Sequence, residues 1–258
     1  MKITSRRTVN DWTEYTLTNE HDMSVSLFDF GGVITKLLVP NKEGKLENVV
    51  LSYGDYKQYE DDPYLFGAII GPVAGRIENA SFEWDGNTYF LEANEGEHHL
   101  HGGTTGFHQV LWGAKPFEKK NEIGIKLFHS SPNGKGGYPG KVDVTVTYTL
   151  TNDNEFIIDY EAVSDQKTPL TLTNHSYFNL SGNLKDTVRQ HIVKMDCNKI
   201  LELDEELIPT GKLMETTGTP FDFRHGKKLA EGFQSDHPQN ITVGNGYDHY
   251  FILMTRRL

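Results

Sequence analysis

The sequence predicts an all-β chain folded as a large antiparallel sandwich. Three observations lead there. Apolar residues recur with a period of two. Turn-forming residues separate the alternating runs, and long helical periodicity is scarce. Many short strands with turn signals between them imply a large antiparallel sandwich.

The clearest strand is Lys141 to Thr151. There Val142, Val144, Val146, Tyr148 and Leu150 alternate with Asp143, Thr145, Thr147 and Thr149, so one face is buried and the other is wet. After the turn residues Asn152, Asp153 and Asn154, the next run places Phe156, Ile158, Tyr160 and Ala162 on one face, which predicts a hairpin. A second hairpin is predicted around Asp85-Gly86, between Phe82-x-Trp84 and Tyr89-x-Leu91, because Asp-Gly supplies the positive φ values of a tight hairpin turn. Further strands are expected at 23–30, 32–39, 122–129, 168–173 and 188–195. Single helical turns are expected at 55–60 and 227–232. No repeat, low-complexity tract or linker divides the chain, so 1–258 reads as a single domain.

Composition narrows the function. The net charge of −11 argues against a nucleic-acid partner, which needs clustered Lys and Arg. No stretch approaches the roughly 18 apolar residues of a membrane span, and no apolar run follows the first charged residues as in a secretory signal. A cytoplasmic protein without membrane contact is expected. Cys197 is the sole cysteine, which excludes an internal disulfide and leaves an inert core residue as the expectation.

Three polar clusters interrupt the alternation. Arg76 sits in the apolar, glycine-rich stretch 67–80. It is either half of a structural ion pair or a ligand-facing cation. In Glu-His-His-Leu-His-Gly-Gly (97–103), three imidazoles invite a metal reading. No further Cys, Asp or Glu stands at a recognisable ligand spacing, so no metal is expected, and Gly102-Gly103 suggests a turn presenting His101 to a cleft. In 171–182, His175 follows a buried strand, as a satisfied core histidine or a site residue. No Gly-x-Ser-x-Gly elbow, phosphate loop or dinucleotide fingerprint occurs, and the glycine-rich 133–137 has no helix after it.

Taken together, VAGRI, F-x-x-D-G-x-x-Y-x-L, LHGG, GF, SPNGKGGYPG, LTNHSYFNLSG, LIPTGKL, TPFDFR and GYDHYF resemble the aldose 1-epimerase (galactose mutarotase) family, in order and over nearly the whole chain. The resemblance implies a galactose mutarotase-like supersandwich with an open sugar cleft. It also implies an isomerase that interconverts α and β anomers of free hexoses without a cofactor, with a small-molecule hexose as its partner. In that chemistry a carboxylate takes the proton of the anomeric hydroxyl, a histidine protonates the ring oxygen, and the ring opens and recloses. The match assigns His175 as general acid and His101 as a second catalytic and binding histidine. Arg76 and Asp248 would bind sugar hydroxyls, and Tyr177 with Phe178 would shape the cleft wall.

The sequence departs from the pattern in three places. The family's late glutamate base is expected beyond Leu258, so the reading is of a chain lacking its C-terminal strands, weakly active or inactive alone. Pro72 and Gly75 stand where family members often carry Arg and Asn, and Gly75 is expected to remove one polar contact. A non-catalytic sugar-binding remnant and a hexose-6-phosphate mutarotase are the alternatives. The latter would need a basic phosphate pocket that the motifs do not supply.

Overall fold

The computed structural model describes residues 1–8 and 10–254. The basic tail beyond Met254 therefore lies outside the described residues. The fold comprises two compact units, Met1–Leu184 and a second from Lys185 onward. Among the described residues no helix is long and apolar enough to cross a membrane.

In the first unit, β1 (Lys2–Arg7), β2 (Thr13–Thr18), β3 (Ser24–Phe28), β4 (Ile34–Pro40) and β5 (Leu46–Asn48) form an antiparallel sheet in sequential order. Five short strands follow: β6 (Ile69–Ile70), β7 (Arg76–Ile77), β8 (Ser81–Trp84), β9 (Asn87–Phe90) and β10 (His99–Leu100). A second sequential antiparallel sheet consists of β11 (Gly113–Lys119), β12 (Glu122–Ser131), β13 (Val142–Thr151) and β14 (Phe156–Ser164). The unit ends with β15 (Thr173–Asn174).

The two larger sheets are the layers of a sandwich. Leu17, Val25, Leu27, Ile34 and Leu37 from the first share one core with Ile123, Ile125, Leu127, Val144, Val146 and Tyr148 from the second. The alternation dictates this: in β13 every second residue from Val142 to Leu150 is buried. The expected β13–β14 hairpin forms, with Val146 opposite Tyr160 and Leu150 opposite Phe156. Its turn is fastened from outside by the Asn19 amide, which donates to the Thr151 carbonyl (3.0 Å) and to Asn154 Oδ1 (2.7 Å). The second hairpin is β8–β9, closed through Asp85 (φ +50°) and Gly86 (φ +77°), both left-handed as a type I′ turn requires.

Strand β3 is buried on both faces. Val25 and Leu27 face the main core, whereas Phe28 joins a second cluster with Trp12, Val33, Tyr59, Ala68 and Ile70.

Two expected strands break up. Over 168–173, only Thr173 enters β15, which pairs with β6, and Thr171 makes an isolated parallel bridge with Val73. The partner segment passes through Gly71-Pro72, and Pro72 has no N–H to continue a ladder. Over 188–195, the segment opens as a 3₁₀ turn at Val188–Gln190, and only Ile192–Val193 is a strand. Its partner, Lys227–Lys228, is equally short because Gly226 precedes it and a helical turn follows at Ala230. The expected helical turn at 55–60 forms as 3₁₀ helix Tyr56–Tyr59, N-capped by the Asp55 carboxylate. That at 227–232 is displaced to Ala230–Phe233 by the same strand.

The second unit holds β16 (Ile192–Val193), β17 (Cys197–Leu203), β18 (Pro209–Glu215), β19 (Lys227–Lys228), α1 (Ala230–Phe233), α2 (Pro238–Thr242) and β20 (Phe251–Leu253). The sheet order is β18-β17-β20, and Cys197 is fully buried at the start of its central strand.

Ile125 is fully buried and Lys126 points to solvent. Ile125→Ala is expected to cost about 2–5 kcal/mol and Lys126→Ala less than about 0.5 kcal/mol, read from urea midpoints.

Candidate active site

The first unit contains an open cleft of about 600 Å³. Its lining includes His101, His108, Gln109, Leu65, Asn94 and Glu95, with acidic groups from Glu60, Asp61 and Asp62.

His101 reaches the cleft through local geometry that its sequence demands. Pairing of β10 with β7 sets Leu100 opposite Arg76, and the next residue leaves the ladder with φ +56°. That conformation is uncommon for a residue with a Cβ and is held here by two bonds to Gly75. The His101 N–H donates to the Gly75 carbonyl (3.1 Å), and the Gly75 N–H donates to His101 Nδ1 (3.0 Å). Gly102 follows at φ +84°, where a Cβ would lie 2.1 Å from the Gly71 oxygen, so only glycine fits. With Nδ1 accepting, the proton of the neutral ring resides on Nε2, which makes His101 a hydrogen-bond donor at that atom. The ring stays neutral because burial pushes its pKa down to about 4, assisted by the nearby His175, Arg76 and His108 and opposed by Glu95.

His175 stands beside it. The two rings are 5.3 Å apart and nearly perpendicular at 80°. The His175 backbone is tied into the fold on both sides. Its N–H donates to Ala68 (2.8 Å), and its carbonyl accepts from Gly67 (3.1 Å). Tyr177 packs against the His175 ring at 5.0 Å and is in turn edge-on to Phe66. Half of the Phe178 side chain is exposed on the same segment.

Arg76 is largely buried and grips the Glu95 carboxylate with two parallel bonds, Nε to Oε2 at 2.5 Å and Nη2 to Oε1 at 2.8 Å. The structural ion pair is therefore present, and it occurs at the cleft, where Glu95 is a lining residue.

The other two histidines of 97–103 serve the fold. His99 is fully buried. Its Nδ1–H donates to the Glu92 carbonyl (2.7 Å), and its Nε2 accepts from the Tyr138 hydroxyl (2.8 Å). His98 Nδ1 accepts the Asn79 N–H at 3.1 Å.

Sequence reasoning missed His108, Gln109, Asp62 and Glu95. His108 lines the cleft, and its pKa falls to about 4 through burial, with Asp62 opposing and His175 assisting. Asp62 organises the adjoining wall. One carboxylate oxygen accepts the Tyr53 hydroxyl (2.7 Å) and the Tyr64 N–H (2.9 Å), while the other accepts the Phe66 N–H (2.6 Å). The only local signal was an Asp before a proline, a common turn opener. Glu95 had none, because its partner is 19 residues away and meets it through strand pairing.

In the second unit, Asp248 is exposed. Its N–H points to Nδ1 of the buried His249 at 3.4 Å, and His249 Nε2 bonds Gln239 Oε1 at 3.0 Å. The Gln239 amide clamps both backbone groups of Leu203, each at 2.9 Å. Burial, then His237, lowers the His249 pKa to about 4. The glutamates of this unit include Glu202, bonded to Lys212 (2.9 Å) and Thr210 (3.0 Å).

Comparison with known proteins identifies the family of the chain. The family model for aldose 1-epimerase matches residues 13–258. Galactose mutarotase of Homo sapiens is 40% identical over 231 residues, which are 90% of this chain and 64% of the relative. Aldose 1-epimerase of Escherichia coli (strain K12) is 36% identical over 241 residues, covering 93% and 68%. The crystal structure of galactose 1-epimerase from Lactobacillus acidophilus NCFM superposes with a TM-score of 0.87 at 30% identity, covering 100% of this chain and 75% of that one. The chain thus spans 64% of the length of the galactose mutarotases it matches.

The three histidines pushed down to about 4, His101, His108 and His249, have a consequence for stability. Their folded pKa values near 4 lie below the ordinary 6.5, so between those values the unfolded chain binds more protons. The contribution of these histidines to stability is expected to be full above pH 6.5, to fall on acidification through this window, and to change no further below about pH 4. Urea midpoints across the range check the slope. The NMR signal of the His101 ring is expected to remain neutral until near pH 4, and a midpoint close to 6.5 would contradict the burial argument.

Proposed function

The chain belongs to the aldose 1-epimerase family, and from that premise we propose that it interconverts the α and β anomers of free hexoses such as galactose and glucose. The observation that carries the reading is the His101–His175 pair, 5.3 Å apart, with His101 at the cleft wall and held as a neutral Nε2–H donor.

His175 is the general acid. It protonates the ring oxygen as the C1–O5 bond breaks and the anomeric hydroxyl gives its proton to a base, which leaves C1 as the aldehyde carbon, and it takes the proton back on closure as the base returns its own. An imidazole exchanges protons near neutral pH with little tuning. His101 donates a hydrogen bond to the ring oxygen or a neighbouring hydroxyl. Its low pKa suits this role, since it stays neutral beside a ring that gains and loses charge. Arg76 and Asp248 bind sugar hydroxyls, and Tyr177 offers an apolar face to the pyranose. Glu95 orients Arg76 by its two bonds. No carboxylate of the described residues is assigned as the base. The reading includes no metal or cofactor, a hexose as the partner, no nucleic-acid or membrane partner, and a cytoplasmic location.

Polarimetry on freshly dissolved α-D-galactose and α-D-glucose tests the proposal. His175→Ala is expected to lower the rate by about 10²–10⁴-fold. Asp248→Asn is expected chiefly to raise KM. Hexose binding without acceleration of the optical change in the parent protein would reject the catalytic role in favour of sugar binding alone.

A further inference from the structure

We propose that Asn245–Gly246 is a site of spontaneous deamidation and isoaspartate formation, a modification independent of the sugar-binding reading. The sequence contains two Asn-Gly pairs, Asn133-Gly134 and Asn245-Gly246. Glycine after asparagine favours the reaction because no side chain hinders approach of its nitrogen to the asparagine carboxamide. Local sequence therefore gives both pairs the same chemical opportunity, and the fold separates them.

Asn133 is locked. Its Oδ1 accepts the Gly140 N–H at 2.8 Å and the Gln166 amide at 3.0 Å, so the carboxamide cannot swing towards its own main chain without breaking two bonds. The following nitrogen is also engaged, since Gly134 N–H donates to the Tyr138 carbonyl at 2.9 Å.

Asn245 differs on each count. It is exposed, and its backbone occupies the left-handed region at φ +63°. Among the described residues its carboxamide makes no hydrogen bond. The attacking nitrogen, that of Gly246, donates only a long bond of 3.3 Å to Asn240. A nitrogen held this weakly loses its proton more readily than one in a good hydrogen bond. The surroundings are also open: a Cβ built on Gly246 would meet nothing nearer than the Phe233 ring at 3.9 Å.

In the reaction, the Gly246 nitrogen, having lost its proton, bonds to Cγ of Asn245. The Cγ–Nδ2 bond breaks and ammonia leaves, giving a cyclic imide. Water then opens the imide at either carbonyl to leave aspartate or isoaspartate. Either product places a carboxylate where an amide stood. The isoaspartate form also adds a backbone carbon just before Tyr247, whose ring packs against Phe221 and Phe223 and whose hydroxyl bonds the Pro220 carbonyl.

The test incubates the full chain at neutral and mildly alkaline pH. It follows tryptic peptides by mass spectrometry, with isoaspartate labelled by an isoaspartyl methyltransferase. The expected result is conversion at Asn245 several-fold faster than at Asn133, faster at the higher pH, and slowed at least several-fold in Gly246→Ala, which the open surroundings accommodate. In chain unfolded by urea the two sites are expected to convert at similar rates. Equal or faster conversion at Asn133 in the folded protein, conversion at Asn245 as fast in Gly246→Ala as in the parent, or the same site preference in the unfolded chain would each overturn the proposal.

Discussion

Burial of both faces of β3 links the core of the first unit to its cleft. Leu27 and Phe28 are neighbours in sequence, yet they belong to different apolar clusters, one between the sheets and one outside them. A strand with period-two side chains can satisfy this only if something covers its outer face. The cover is aromatic. Phe28 packs edge-on against Tyr56 and Tyr59, Tyr59 edge-on against Tyr53, and Tyr53 lies tilted against Phe66. The Tyr53 hydroxyl then holds Asp62, whose carboxylate fixes the backbone at Tyr64 and Phe66. Ala68 belongs to the same cluster and accepts the backbone N–H of His175. The demand to bury the outside of one strand thus extends, through rings and one buried carboxylate, to the wall and the acid candidate of the cleft.

Within that wall, chemistry is assigned by environment. Four imidazoles, of His98, His99, His101 and His108, lie within eleven positions, and their types say nothing about their tasks. His99 spends both nitrogens on protein partners in full burial, which leaves it a packing residue with a polar lock. His101 spends one nitrogen on Gly75 and keeps the other, and it is the one whose backbone is forced left-handed at the cleft. Uncommon backbone geometry held in place by its surroundings is frequent at functional positions. Here the holding group is the Gly75 backbone itself.

The second unit uses a similar device with different parts. Asp248 is exposed, and the ring beside it is buried, neutral and anchored through Gln239 to the central strand of its sheet. In both units a polar residue of interest sits at an irregular segment secured by side-chain bonds to backbone. Such segments tolerate non-repetitive geometry better than a regular ladder does.

The sequence by itself determined the sandwich and the β13–β14 hairpin, because a period of two in both strands admits one core-facing side and a one-residue slip would invert it. Together with the family motifs, it was also enough to single out His175, His101, Arg76, Tyr177 and Asp248 as candidates. It could not separate an ion pair from a ligand-facing arginine, or a packing histidine from a cleft histidine, since both members of each pair read alike in one dimension. It overextended the strands at 168–173 and 188–195, where partners a few residues long ended the ladders. Tertiary structure alone decided that Glu95 faces Arg76, that His108 and Asp62 border the cleft, and that the His101 ring is neutral with its proton on Nε2. These depend on burial and on contacts between residues distant in sequence, quantities that alternation and spacing do not encode.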